Sequence, residues 1–193
     1  MNPAFQFDTY ALKRQFLALT GKLRLYNSNN NLVLYVEQKF MRLKEDIRVF
    51  DSELKTREVL IIKARTIIDF SATYDVIDPA EGIKVGALRR KGVKSLFRDQ
   101  WEVLDESDRP IGLLFEDSML SAILRRLIIG ALLPQDYDIK LGELKVADFK
   151  QRFNFFVYNM DLNFSMDINK KLDRRIGIAA AILLAVLEGK QES

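Results

Sequence analysis

Residues 176–187 read IGIAAAILLAVL, twelve consecutive residues without a charged or polar side chain. At 1.5 Å per residue this run makes about 18 Å of helix, whereas the hydrocarbon core of a bilayer is about 30 Å thick. Charged residues close the run on both sides, Arg175 before it and Glu188 after it. A helix that is apolar all round and too short to span a membrane is normally buried inside protein. We therefore expect a buried helix here and not a membrane anchor.

The chain before this helix is patterned for β-strands and contains a repeat. The pentads at 47–51, 74–78 and 101–105 (IRVFD, YDVID and WEVLD) share one order of residue types and are spaced 27 residues apart. A weaker copy lies at 23–27, and residues 137–139 resemble the start of another. Each copy alternates apolar and polar residues, enters a turn, and continues in a second apolar stretch, which predicts a β-hairpin. The second stretches are residues 32–36, 59–63, 83–88 and 111–115.

These hairpins and the apolar helix together predict the fold. Two further strand-like stretches, 137–146 and 152–164, bring the total to about ten to twelve strands, and so many antiparallel strands are expected to close because open edges promote aggregation. Two more helices are predicted, from Asp8 to Leu19 and from Asp117 or Ser118 to Ile129. We predict a mainly β (α+β) fold, a closed antiparallel β-barrel of about twelve strands that encloses the hydrophobic C-terminal helix. Residues 1–193 are expected to form a single domain, with residues 1–20 as an N-terminal helical extension.

Composition excludes several kinds of chemistry. The 193 residues include no cysteine and no histidine, which removes thiolate nucleophiles, Ser-His-Asp triads, disulfides and Cys or His zinc sites. No glycine-rich phosphate loop follows a strand, and no carboxylate pair has a partner motif. We therefore expect a protein that is not an enzyme and has no cofactor. The N-terminus lacks the pattern of a secretory signal, which indicates a cytoplasmic protein that can associate peripherally with a membrane.

Several segments, taken in their order and spacing, carry a resemblance to a known family. They are residues 39–51 (KFMRLKEDIRVFD), 74–78, 85–102 (VGALRRKGVKSLFRDQWE), 124–126, 133–134 and 172–191 (LDRRIGIAAAILLAVLEGKQ). The chain resembles the tubby C-terminal-like superfamily, in particular its LURP-one-related and phospholipid-scramblase-like branch. The resemblance implies a closed barrel of about twelve strands with a hydrophobic helix threaded through it. It also implies two possible activities, binding of phosphoinositide head groups through basic surface residues or calcium-dependent lipid movement.

The densest basic stretch, residues 84–98, contains no acidic residue. It predicts an anion-binding hairpin for phosphate-bearing lipid head groups, because each cation near an anionic membrane contributes about 1 kcal/mol. The candidate binding residues are Arg89, Arg90, Lys91, Lys94 and Arg98. The first three adjoin one turn and can converge on one phosphate. The alternative is a solvated strand pair whose cations pair with Asp99, Glu102 and the acidic turn that follows.

Positive charge is also concentrated where the apolar helix begins, and it opposes the helix dipole there. Either nearby carboxylates, such as Asp167 and Asp173, or a bound anion must compensate it. The cations concerned are Lys170, Lys171, Arg174 and Arg175.

Calcium is the expectation that the scramblase resemblance brings. The candidate ligands lack the glycine turn and the terminal glutamate of an EF-hand loop, and they alternate with apolar residues as an ordinary strand does. No metal site is therefore predicted. The residues concerned are Asp161, Asn163, Asp167 and Asn169.

The sequence thus favours a binder of anionic phospholipid head groups. Two alternatives stay open. One is a scaffold that binds a protein through an exposed apolar patch, and the other is a scramblase-like lipid mover, which requires the C-terminal helix to enter the bilayer. Nucleic acid is not an expected partner, because a net charge of +3 is small and most aromatic residues occupy core positions of strands.

Overall fold

The computed structural model describes residues 2–15, 21–38, 46–66, 72–91, 100–117, 134–152 and 157–188. After a short 3-10 turn at Pro3–Phe5, the described residues form twelve strands and one α-helix, α1 (Arg174–Glu188). The strands are β1 (Thr9–Gln15), β2 (Gly21–Asn27), β3 (Leu32–Gln38), β4 (Ile47–Phe50), β5 (Glu58–Thr66), β6 (Thr73–Asp78), β7 (Ile83–Arg90), β8 (Gln100–Leu104), β9 (Pro110–Glu116), β10 (Asp136–Leu141), β11 (Leu144–Arg152) and β12 (Val157–Asn163). Each strand pairs antiparallel with the next, and β1 pairs with β12, so the sheet closes into a barrel. The predicted fold class is confirmed.

The four predicted hairpins are present as β2–β3, β4–β5, β6–β7 and β8–β9, and β10–β11 forms a fifth hairpin that was not predicted as one. In three of them the Asp or Asn that ends the repeat organises the turn. One side-chain oxygen of Asn27, of Asp78 and of Asp105 accepts hydrogen bonds from two backbone N–H groups of the following turn, at 2.9–3.3 Å. This is the Asx turn, in which a short polar side chain substitutes for a backbone carbonyl. The repeat therefore marks the places where a strand ends and its hairpin turns.

Two elements differ from the prediction. The stretch at 137–146 is not one strand, because the chain turns at Gly142, which has φ of +59°, and β11 begins at Leu144. The helix predicted from Asp8 is wrong over Thr9–Gln15, which is strand β1. The rest of that helix, and the second predicted helix from residue 118 onward, lie outside the described residues. Residues 9–15 are accordingly not part of a helical extension, since β1 belongs to the barrel wall.

Strand β1 alternates as a barrel strand must, with one unusual inward residue. Tyr10 and Leu12 are buried, as is Arg14, whereas Lys13 is exposed. The guanidinium of Arg14 donates a hydrogen bond to the carbonyl oxygen of Ala185 at 2.5 Å, in the last turn of α1. A cation placed against the C-terminal carbonyl groups of a helix is stabilised by the helix dipole. Arg14 is therefore an inward residue of the wall because its partner is the enclosed helix.

Helix α1 fills the barrel, as its sequence predicted. Every residue from Arg174 to Val186 is buried, and Ile182 and Ala185 are fully inaccessible to solvent. The fit against the wall is tight where small residues occur. A Cβ atom added at Gly86 would lie 2.5 Å from the carbonyl oxygen of Leu104 and 2.6 Å from Cδ1 of Ile176. Glycine at position 86 lets β7 approach the first turn of the helix.

The direction of α1 distinguishes the two ends of the barrel. Arg175, at the start of the helix, donates to Asp78, which ends β6 at a hairpin turn. The helix therefore begins at the end that carries the hairpin turns, and it ends at the opposite end, where β7 ends at Arg90 and β8 begins at Gln100.

Among the residues that the structure describes, no helix has the length and apolar character needed to cross a membrane.

Candidate anion-binding surface

The predicted basic site begins at the end of β7. This strand pairs with β8 so that Arg89 lies directly opposite Glu102 and Arg90 opposite Trp101. Successive residues of a strand point to opposite faces of a sheet, so Arg89 and Arg90 extend in different directions. The three adjacent cations at positions 89–91 consequently divide into two groups.

Arg89 and Lys91 meet on one carboxylate. The Nε atom of Arg89 donates to Oε2 of Glu102 at 2.7 Å, and Nη2 of Arg89 also pairs with Oε2. The ammonium of Lys91 lies 3.3 Å from Oε1 of the same carboxylate. The side chains of Arg89 and Lys91 are 42% and 43% exposed, whereas that of Glu102 is 17% exposed. Two cations thus reach solvent around one largely covered anion, and the cluster keeps a net charge of +1.

The electrostatics of this cluster keep Glu102 ionised. Partial burial raises the pKa of Glu102, but the hydrogen bonds and charges of Arg89 and Lys91 outweigh burial, so its pKa lies below the usual range. Glu102 is therefore an anion at neutral pH.

Arg90 contacts an aromatic pair on the other face of β7. Its guanidinium carbon lies 6.0 Å from the ring centroid of Trp101, at the outer limit for a cation–π contact. Trp101 in turn packs against Tyr74, with ring centroids 5.9 Å apart. Burial raises the pKa of Tyr74, and the charge of Arg90 opposes that rise. Trp101 was not predicted as a site residue, although the alternation of β8 could have placed it beside a basic residue.

Three other cations belong to the basic stretch: Lys84, Lys94 and Arg98. Lys94 and Arg98 lie outside the described residues. Lys84, the first cation of the basic stretch, pairs with Asp108 at 2.8 Å and lies 3.8 Å from Asp75, so the acidic turn after Glu102 does neutralise it. The structure thus brings Arg89 and Lys91 together and separates them from Lys84.

The cations at the start of α1 are compensated by carboxylates. Asp173 precedes the helix, and its Oδ1 accepts the backbone N–H of Arg175 at 2.9 Å. Arg175 also pairs with Asp78 at 2.6 Å, and both side chains are less than a tenth exposed. Arg174 pairs with Asp8 at 3.0 Å and lies 3.5 Å from Asp167. Asp78 and Asp8 were not foreseen as partners, because they lie 97 and 166 residues away in sequence.

The residues considered for calcium make other contacts. Asp161 pairs with Arg152, and Oδ1 of Asn163 accepts hydrogen bonds from Ser165. The carboxylate of Asp167 accepts two backbone N–H groups at 2.9 Å and orders the loop before α1. Within the described ranges, no three acidic side chains are grouped closely enough to hold a metal ion.

The exposed apolar residues bear on the alternative functions. The described part of the chain exposes five large apolar side chains, each in a different turn, loop or strand start: Leu54, Ile83, Ile111, Leu144 and Ile168. The C-terminal helix, by contrast, exposes none of its residues 178–186 by more than 3%. A lipid mover that inserts this helix would first have to remove it from the barrel.

The protein is a closed antiparallel β-barrel that encloses its own C-terminal helix, and this fold defines its structural class. The chain belongs to the LURP-one-related family, whose family model matches residues 32–185. The match covers β3 to the last turn of α1 and includes the basic stretch. Comparison with curated proteins and with solved structures finds no significant match.

Proposed function

We propose that this protein is a non-enzymatic binder of anionic phospholipid head groups, which associates peripherally with a membrane through Arg89, Arg90, Lys91, Lys94 and Arg98. The observation that carries the proposal is the cluster of Arg89 and Lys91 around Glu102. Two cations that are more than two-fifths exposed share one carboxylate, which leaves donors and a positive charge facing solvent.

The location of the cluster supports the same function. It lies at the end of the barrel opposite the hairpin turns, where β7 ends. Cations that share one end can face a flat anionic surface at the same time, and each then contributes about 1 kcal/mol. Membership of the LURP-one-related family is compatible with this function but does not establish it.

The test is co-sedimentation of the purified protein with vesicles at physiological salt. We expect binding to vesicles of phosphatidylcholine mixed with phosphatidylserine and little binding to phosphatidylcholine alone. Replacing Arg89, Arg90, Lys91 and Lys94 by alanine should weaken binding by about tenfold or more, since up to four contributions of about 1 kcal/mol are removed. Raising the salt concentration should weaken binding of the wild type, because surface charges are screened within about 10 Å at 0.1 M.

A matched control removes the same amount of charge elsewhere. The control replaces four exposed cations at the end of the barrel that carries the hairpin turns by alanine: Lys55, Arg57, Arg109 and Lys171. If it loses as much binding as the first variant, only net charge matters and the proposed surface is wrong. Equal binding of the wild type to neutral and anionic vesicles would show that the proposed function is wrong.

A further inference from the structure

Glu102 occupies the place that an external anion would take between Arg89 and Lys91. One of its oxygens accepts from Arg89 and the other faces Lys91, so the carboxylate engages both cations. A phosphate oxygen would use the same N–H donors, because carboxylate and phosphate share the hydrogen-bond geometry that arginine prefers. A phosphate that approaches this pair must therefore displace Glu102 or share the donors with it.

The position of Glu102 makes it a persistent competitor. It lies directly opposite Arg89 in the β7–β8 register, so the paired backbones place the two residues side by side. Its side chain is largely covered, whereas the cations reach solvent. Displacement of Glu102 by an external anion would leave a carboxylate with fewer partners in a partly buried place, which is unfavourable.

We propose that Glu102 is an intramolecular counter-ion that limits the affinity of Arg89 and Lys91 for phosphate-bearing ligands. This inference rests on the proposed function and concerns how tightly the same site binds. The cluster binds an anionic ligand weakly while Glu102 is ionised, and neutralising Glu102 makes the cluster bind that ligand more tightly. A purely structural cross-strand pair would stabilise the sheet by a few tenths of a kcal/mol without affecting binding. The two roles are separable by measurement.

The experiment compares Glu102→Gln with Glu58→Gln. The amide keeps the shape of Glu102 and one acceptor but removes the charge. Glu58 is a suitable control because it also holds an arginine of the neighbouring strand, Arg48, at 2.6 Å, and its substitution changes the net charge by the same amount. Binding is measured on vesicles of phosphatidylcholine with phosphatidylserine, and thermal unfolding of each variant confirms that it is folded.

We expect Glu102→Gln to bind these vesicles about threefold to fivefold more tightly than the wild type, as one unit of charge near an anionic surface predicts. Glu58→Gln should change binding far less. The gain should vanish when Arg89 and Lys91 are replaced by alanine in the Glu102→Gln protein. A parallel titration with inorganic phosphate, followed by the fluorescence of Trp101, the single tryptophan, separates a lipid head group from a free phosphate as the ligand.

The outcomes distinguish this inference from the proposed function. If the wild type binds through Arg89 and Lys91 while Glu102→Gln gains nothing, Glu102 is not a competitor and only this inference fails. An equal gain in both glutamine variants would also overturn it, because net charge would then explain the effect. If neither the wild type nor Glu102→Gln binds vesicles or phosphate, both proposals fail. If Glu102→Gln binds inorganic phosphate more tightly but gains no affinity for vesicles, Glu102 is the competitor and the proposed binding to a membrane is wrong.

Discussion

The buried ion pair between Asp78 and Arg175 is expected to stabilise the attachment of the helix to the barrel. Replacing Asp78 by asparagine tests this contribution with little other disturbance. Asn27 occupies the equivalent position of the first hairpin, and its Oδ1 accepts two backbone N–H groups of the turn, as Oδ1 of Asp78 does, so asparagine at position 78 should keep the turn. What the substitution removes is the negative charge that faces Arg175 at 2.6 Å.

The expected loss follows from burial and from the remaining partner. Removing one member of a buried ion pair costs about 3–5 kcal/mol when the other charge is left without compensation. Arg175 keeps Asp173, at 2.7 Å, so we expect about 2 kcal/mol for Asp78→Asn, below that range. For a chain of this length 1 kcal/mol corresponds to about 2–4 °C, so the Tm should fall by about 4–8 °C.

Asp105→Asn is the matched control. Asp105 ends another copy of the repeat, and its Oδ1 also accepts two backbone N–H groups of the turn, but its arginine partner, Arg109, is 74% exposed. The assay is urea unfolding, followed by the fluorescence of Trp101 and by circular dichroism. We expect a much smaller loss for Asp105→Asn than for Asp78→Asn. Equal losses would refute the reasoning, because burial of the ion pair would then not determine its contribution.

Three further predictions concern the helix and its fit. Arg14→Met should lower stability by about 1.5–3 kcal/mol, because it removes a charged hydrogen bond to the last turn of α1, whereas Lys13→Met on the outer face should have little effect in thermal unfolding. Gly86→Ala should cost about 1–3 kcal/mol in urea unfolding because its Cβ meets the backbone oxygen of Leu104, and an unchanged stability would contradict the tight fit. The difference in stability between the wild type and Asp78→Asn should be constant near neutral pH and shrink below about pH 4. Burial raises the pKa of Asp78, but Arg175 and the N–H groups of the turn outweigh burial and lower the pKa overall. The carboxylate therefore stabilises the fold above the pKa of Asp78 in the unfolded chain, and this stabilisation is lost as pH falls through the pKa in the folded protein. A constant difference in stability down to acid pH would contradict this.

The hairpins could be predicted from the sequence because their determinants are local. Alternation over a few residues places apolar side chains on one face, and the Asp or Asn that follows satisfies the turn within the next four residues. The helix was equally predictable, since residues 176–187 are apolar on all sides. No information from distant residues was needed for either element.

Strand β1 was mispredicted because one of its inward positions holds a charge. Leu12 and Arg14 both face the interior, and a buried arginine there hides the alternation that would have indicated a strand. The spacing of Leu12 and Phe16 instead imitates a helix face. Arg14 faces inward because Ala185, 171 residues later, offers it a carbonyl oxygen. A contact between residues so far apart in the sequence leaves no pattern in the residues around Arg14.

The candidate site was predictable in residue type and only partly in the grouping of its cations. A stretch without acidic residues indicated an anion-binding surface, and Glu102 was named as an alternative partner. Which cations share Glu102 depends on the β7–β8 register, which aligns Arg89 with Glu102 and Arg90 with Trp101. The strand alternation alone would have separated Arg90 from Arg89 and Lys91, and applying it to residues 89–91 would have corrected the expectation of one convergent phosphate site.

The position of the core helix after all twelve strands has a consequence for synthesis of the protein. A ribosome releases the strands before residues 174–188, so their inner faces emerge before the segment that covers them exists. The first strand must also wait for the last one, because β1 pairs with β12. Pairings of such long sequence separation are slow to form, and apolar strand faces exposed in the interval favour aggregation. The barrel is consequently completed only after residues 174–188 have been translated, and the apolar faces of its strands stay uncovered until then.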